Sequence, residues 1–332
     1  MTDDFAYLNA RIRARRSRLL PEGFFREALS LNFSELVKVL EESIYGPDLT
    51  GETLTDIDRA VTVHLNRTVA DLPRLVSGKA REAVSLLLMR SDLTNVKTIL
   101  RGRTAGWSAD EIAGHLAGGT VPQGLYRAMA EAPGPASLAQ VLSLLGHPIA
   151  KVLREASKTS HEPMQMEVLL DHGFYEEVLC RAQELDEPYL VDFIRFEIDA
   201  LNLATGVKLF SVGFEGPSEW IFLRGGRYVT LSLFQRLAGG EVAALQELSD
   251  SDFGRVAEAR DLAALERSLR CVLLAKAHAQ SKDVLGPGLA IDYIRCKEWE
   301  TGRIRLLARR AYYNLPSVSV EQEVFCELRS GF

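Results

Sequence analysis

The sequence predicts an all-α protein of three tandem helical repeats, and three observations carry that expectation. Apolar residues recur at alternating spacings of three and four along most of the chain, and no segment alternates apolar and polar residues long enough for a half-buried strand. The stretch 83–103 returns in recognisable form at 193–208 and again at 293–311. A second motif, with glycines at Gly23, Gly124 and Gly226, returns at nearly the same interval. That interval is about one hundred residues, longer than the period of ordinary solenoids.

The elements follow in order. Residues 4–20 read as a helix with Phe5, Leu8 and Ile12 on one side and Arg11, Arg15 and Arg18 on the other. A helical stretch after Pro21 ends near Tyr45, Gly46 and Pro47, and a long amphipathic segment fills 54–76. The first organising helix aligns Leu86, Met89, Leu93, Val96 and Leu100 on one side. Its neighbouring stripe carries Asp92 and Asn95 between Leu88 and Ile99, so this polar pair lies in a helix that is apolar nearly all round.

Ser108 and Glu111 have the spacing of a capping box, in which the serine oxygen and the glutamate side chain satisfy opposite backbone donors. That helix ends at Gly118 and Gly119. The run V-P-Q-G-L-Y-R-A-M-A from Val121 echoes L-P-E-G-F-F-R-E-A-L from Leu20 and L-R-G-G-R-Y-V-T-L-S from Leu223. His161, Glu162 and Pro163 read as a turn. The second organising helix aligns Phe193, Phe196, Ala200, Leu203 and Val207 and repeats the polar pair as Asp199 and Asn202; the third replaces it with Glu300 and Arg303. Ser108, Ser218 and Ser317 are each placed to start a helix soon after a polar helix. The expected segments are 1–121 for the N-terminal helix with the first repeat, 122–222 for the second and 223–332 for the third. An odd number of similar units can close into a pseudo-threefold body around a central hollow.

Such buried pairs read first as interhelical hydrogen bonds, because a buried polar group without a partner costs about 1–3 kcal/mol. The richest basic run is Arg303, Arg305, Arg309 and Arg310, with Lys97, Arg101 and Arg103 in the first copy. Helical spacing puts Arg305 and Arg309 on one face, as it does Lys97 and Arg101. Asp92, Asn95, Lys97, Arg101, Asp199, Asn202, Glu300, Arg303, Arg305 and Arg309 are therefore the candidate structural or partner-interface residues.

Composition narrows the function. Hydrophobic residues at 47% and charged residues at 25% suit a soluble globular chain with a sizeable core. A net charge of −6 gives no whole-chain attraction to phosphate backbones or anionic lipid. Cys180, Cys271, Cys296 and Cys326 lack C-x-x-C spacing, which points to reduced cytoplasmic thiols and away from zinc or a disulfide framework. The acidic, then basic start has no apolar core of signal-peptide length, and nothing approaches the roughly 18 apolar residues of a membrane span.

The nearest approach to a nucleotide-binding loop, P-R-L-V-S-G-K-A from Pro73, has proline where the first glycine belongs and alanine after the lysine. The six histidines show no metal spacing and there is no G-x-S-x-G elbow, so catalytic, cofactor-binding and metal residues are all expected to be absent.

The runs F-A-Y-L-N-A-R, D-L-T-N-V-K-T-I-L-R-G-R, E-I-D-A-L-N-L-A-T and K-E-W-E-T-G-R-I-R-L-L-A-R-R-A-Y-Y-N-L-P together resemble the C subunit of bacterial and archaeal V-type (A-type) ATPases, equivalent to the eukaryotic d subunit. The resemblance spans essentially the whole chain; Arg303 departs from the asparagine common at its position in the family. It implies a non-catalytic, funnel-shaped, all-helical socket, cytoplasmic and peripheral to the membrane through its complex. That socket would seat the D and F subunits of the central stalk on the membrane proteolipid ring and pass torque between ATP chemistry and ion transport, with no cofactor and no nucleic acid. The competing reading is an all-helical nucleic-acid-binding or regulatory scaffold, against which stand the acidic balance and the lack of interleaved exposed aromatics.

Overall fold

Capping and proline placement set where the helices begin. The computed structural model describes residues 5–326, and every regular element among them is helical. The α-helices are α1 (Phe5–Arg16), α2 (Glu22–Ala28), α3 (Phe33–Glu41), α4 (Leu54–Ala70), α5 (Gly78–Thr104), α6 (Ala109–Gly114), α7 (Tyr126–Glu131) and α8 (Pro135–Leu144). They continue as α9 (Ile149–Thr159), α10 (Pro163–Glu184), α11 (Pro188–Ser211), α12 (Leu231–Ala238), α13 (Leu262–Gln280), α14 (Gly288–Tyr312) and α15 (Val318–Val324). The chain divides into two compact units, one of the residues up to Arg81 with those from Glu266 onward, the other Glu82–Leu265.

The first unit joins the early and late parts of the chain. Phe25, Leu36, Leu40, Tyr45, Ile57 and Val61 share a core with Ile304, Leu307, Val320 and Val324. Fully burying such a side chain is worth about 1.5–3 kcal/mol for the aliphatic and phenyl cases. In α1, Phe5, Leu8 and Ile12 are buried as the periodicity requires. The helix expected over 4–20 stops at Arg16, and Asp4 lies outside the described residues. The stretch after Pro21 is two helices, because the Asn32 side chain and Glu35 form a capping box that opens α3 anew. Thr53 and Asp56 cap α4 in the same way. The segment 54–76 is helical only to Ala70, beyond which Pro73 leaves a 3-10 turn, Leu72–Leu75.

In the second unit, Phe196 stacks on Phe253 with ring centroids 4.1 Å apart, and Phe234 is buried in α12. Ser108 and Glu111 form the expected capping box at α6. Glu162 corrects the turn expected there: its carboxylate accepts from the backbone N–H groups of Met164 and Gln165 and caps α10, with Pro163 in the first turn. Ser218 opens only a 3-10 turn, and the Ser317 hydroxyl, before α15, donates to the Leu29 carbonyl within the first unit.

The expectation of four reduced thiols is overturned at Cys271 and Cys326, which form a disulfide with Cα atoms 5.4 Å apart. The cause is tertiary: Val320 and Val324 bury α15 in the first unit's core, and Glu323 pairs with Arg267 and Arg270 of α13. Linear spacing carries no trace of that return. Cys180 is free and exposed, while burial and the adjacent Asp292 push the Cys296 thiol up to about 12. Iodoacetamide at pH 8 without reductant is therefore expected to modify Cys180 alone in the folded protein. Unfolding should add Cys296, and only reduction should add Cys271 and Cys326; mass spectrometry of the alkylated peptides checks the order.

Candidate functional site

Long apolar helices leave a buried carboxylate or amide one economical use, which is to satisfy backbone groups of a neighbouring loop. Asp92 and Asn95 of α5 do this. Asp92 Oδ2 accepts from the Thr120 backbone N–H at 2.8 Å and hydroxyl at 2.7 Å, and Oδ1 accepts from the Val121 N–H at 3.3 Å. Asn95 takes the Ala117 N–H on its carbonyl and donates to the Ala117 C=O, both at 2.7 Å. His147 closes the site. The Ile149 N–H donates to its Nδ1 at 3.2 Å, which leaves the proton on Nε2, 3.2 Å from Asp92 Oδ2.

Asp199 and Asn202 of α11 repeat the arrangement. Asp199 accepts from the backbone N–H groups of Arg227 at 2.8 Å and of Tyr228 and Val229 at 2.9 Å. Asn202 accepts from the Leu223 N–H at 2.9 Å and donates to the Leu223 C=O at 2.8 Å. In both places a glycine permits the approach, since a Cβ on Gly119 or Gly226 would lie 2.1 Å from Oδ1 of Asp92 or Asp199. Burial pushes the Asp199 carboxyl above the usual carboxylate range, against the three N–H groups that favour its ionised form.

The expectation of interhelical bonds is thereby corrected: both pairs hold the backbone of a following loop. The glycine echo is corrected too. Gly226 packs on Asp199 as Gly119 packs on Asp92, whereas a Cβ on Gly23 or Gly124 would meet nothing within 4 Å, and both lie at the starts of helical turns.

The third position, in the first unit, uses different chemistry at the same place in its helix. Glu300 Oε2 accepts from the Leu20 N–H at 2.6 Å, and Oε1 accepts from the Tyr45 hydroxyl at 2.6 Å and from Lys297 Nζ at 2.5 Å. Lys297 is 1% exposed and also donates to the Tyr45 oxygen at 3.1 Å. Arg303 reaches Glu22 at 2.6 Å and lies 3.4 Å from the Phe25 ring centroid. The helix again holds a loop, here one supplied by the start of the chain.

The remaining candidate cations also have partners within the chain. Lys97 pairs with Asp171, whose carboxyl is kept above its usual range by burial despite the lysine. Arg101 donates to both oxygens of Glu167. Arg305 bonds Thr62 and lies 3.5 Å from Asp58, and Arg309 donates to Asp58 at 3.0 Å. Arg310, the fourth member of the basic run, donates to the carbonyls of Leu31 and Leu315.

The structure thus gathers Arg305 and Arg309 on one carboxylate and disperses the other cations. Reversing both to Glu removes a half-buried pair and the Arg305 bond to Thr62 and sets two carboxylates beside Asp58. It is therefore expected to lower the unfolding free energy by more than the scale of an exposed pair, about 1 kcal/mol. Adding Asp58→Lys should restore most of it in urea titrations. Sequence reading missed Tyr45, Thr120, His147 and Lys297; only Lys297 left a signal, its i, i+3 spacing to Glu300.

No helix among the described residues is long and apolar enough to cross a membrane. A family model described as ATP synthase (C/AC39) subunit matches residues 8–323. The V-type ATP synthase C subunit of Thermus thermophilus is 47% identical over 326 residues, covering 98% of this chain and 100% of its own length. The V-type ATP synthase C subunit of Deinococcus radiodurans is 31% identical over 337 residues, covering 98% of this chain and 92% of its own. The A-type ATP synthase C subunit of Halorubrum lacusprofundi is 27% identical over 340 residues, with 96% of each chain covered.

Proposed function

Because this chain belongs to the ATP synthase (C/AC39) subunit family, we propose that it is the non-catalytic central-stalk socket of a rotary V/A-type ATPase. In this role it seats the shaft, made of the D and F subunits, on the membrane proteolipid ring and passes torque between ATP chemistry and ion transport. It lies on the cytoplasmic face, held at the membrane by its complex. The three-repeat, pseudo-threefold, funnel-like arrangement and the segments 1–121, 122–222 and 223–332 belong to the same proposal.

One observation carries this role: the matched way in which Asp92 with Asn95, and Asp199 with Asn202, fasten backbone loops to long helices. A part that passes torque has to resist twisting, and densely packed helices with their loops hydrogen-bonded to the interior transmit strain instead of absorbing it. None of these groups is presented to a substrate.

The test is affinity purification of the tagged chain from detergent-solubilised membranes. Recovery of stoichiometric D, F and proteolipid subunits supports the socket. Salt-sensitive retention on nucleic acid without those subunits would instead favour the scaffold reading. The isolated chain is expected to hydrolyse no ATP; magnesium-dependent turnover that follows it through successive columns and disappears on a point mutation within it would contradict the proposal.

A further inference from the structure

The first unit carries a cleft of about 590 Å³, lined by α13, α14 and α15, to which the socket role assigns no task. Its apolar lining is Leu273, Leu274, Trp299 and Leu306. Its charged lining is four arginines, Arg270, Arg295, Arg305 and Arg309, with Glu298 and Glu323. Each arginine has a carboxylate partner, Asp58 for Arg305 and Arg309, Glu323 for Arg270 and Glu298 for Arg295, but a guanidinium has five N–H donors and these contacts use only some of them. Arg309 and Arg270 keep 46% and 40% of their side-chain surface in solvent, so those donors are within reach of a partner.

The spacing along α14 says what shape fits. Lining positions Arg295, Glu298, Gly302, Leu306 and Arg309 follow one another by three or four, so the cleft runs along the helix for about 21 Å at 1.5 Å per residue. Gly302 stands at its midpoint. It is exposed, its backbone is helical, and a Cβ there would meet nothing within 4 Å. A glycine in a helix interior is about 1 kcal/mol worse than alanine, and no neighbour within the chain requires it. Its missing side chain does leave room for a second backbone to approach closely, as ridge-into-groove packing at about 8–10 Å between axes demands. Arg305 and Arg309, one turn apart, match carboxylates at i and i+4 of an apposed helix.

We propose that this cleft seats an amphipathic helix of about four turns from a partner subunit, apolar where it crosses Gly302 and acidic where it meets Arg270, Arg305 and Arg309. The inference rests on the rotary-complex reading for the source of that helix. The excess of arginines selects it over a basic or neutral segment, and the apolar residues that share the lining select it over a small anion.

The experiment reassembles the purified complex, stripped of this chain, with wild type, Gly302→Ala, Gly302→Trp and the charge-swapped pair Asp58→Lys with Arg309→Glu. Gly302→Ala meets open space within the chain and should fold as wild type, yet its methyl would stand where the partner's backbone approaches, so it should bind about threefold more weakly. Gly302→Trp should melt like wild type yet bind at least tenfold more weakly, and the charge swap, which keeps an internal ion pair, should also bind more weakly. A benzophenone attached through Gly302→Cys in a Cys180→Ser background should cross-link, in the complex, to a helical peptide of another subunit with acidic residues at i, i+4 spacing. Assembly of Gly302→Trp at wild-type affinity would overturn the inference, as would cross-links only to this chain, to a second copy or to lipid. If wild type itself does not assemble, the rotary-complex reading fails; if wild type and Gly302→Trp both assemble, only the cleft inference does.

Discussion

Asp199→Ala is expected to lower the unfolding free energy by about 2–4 kcal/mol, because three backbone donors, one buried and two partly buried, would lose their acceptor together and an orphan shielded from water costs roughly 1–3 kcal/mol. The donors belong to Arg227, Tyr228 and Val229. Asn202→Leu should cost about 2–4 kcal/mol by freeing both polar groups of Leu223. Gly226→Ala provides a separate approach to the same site, since its Cβ would intrude on the Asp199 carboxylate and force the loop outward.

The pH dependence has a definite sign. The Asp199 carboxyl is raised in the folded state, so its linkage contribution is fully present below the unfolded pKa and is lost as pH rises through the folded one. Urea denaturation of wild type and Asp199→Ala across the acidic range should therefore show the two curves separating further as the pH falls. An unchanged midpoint for Asp199→Ala at neutral pH would mean that water or a shifted loop replaces the carboxylate.

Glu300→Leu is the second large effect, expected at about 3–5 kcal/mol, because it strands the Lys297 ammonium in the core of the first unit. The Leu20 N–H and the Tyr45 hydroxyl lose their acceptor at the same time. Lys297→Met combined with Glu300→Leu should recover a large part of the loss, since replacing a buried ion pair by apolar groups of similar volume is far cheaper than breaking it. A double-mutant cycle by chemical denaturation measures the coupling. A double mutant no more stable than Glu300→Leu would show that the loop contacts, and not the lysine, dominate.

Much of this is legible in the sequence. The spacing of Leu86, Met89, Leu93 and Val96 marks α5, and an acidic residue three before an amide in so apolar a helix marks Asp92 with Asn95 and Asp199 with Asn202 as buried pairs. Their partners are not legible, because a hydrogen bond to a backbone N–H selects no residue type: Thr120 and Arg227 occupy matching places with nothing in common but the peptide group. Glycine offers the only trace, and the recurring interval points to Gly124 where Gly119 is the one in contact. The third pair hides a longer-range fact, since Leu20, Glu22 and Tyr45 come from the far end of the chain. The basic run at Arg303 to Arg310 is visible, but not that Asp58, Glu22 and two carbonyl groups meet it within the chain.

The proposed socket role is tested most directly by measuring ATP hydrolysis and ion uptake together in vesicles bearing the complex, with this chain removed and then restored. Without it, hydrolysis by the catalytic head should continue while ATP-driven ion uptake stops, and adding back wild-type chain should restore uptake in proportion to the chain bound. Ion uptake at the full rate in its absence would contradict the proposal that torque passes through this protein.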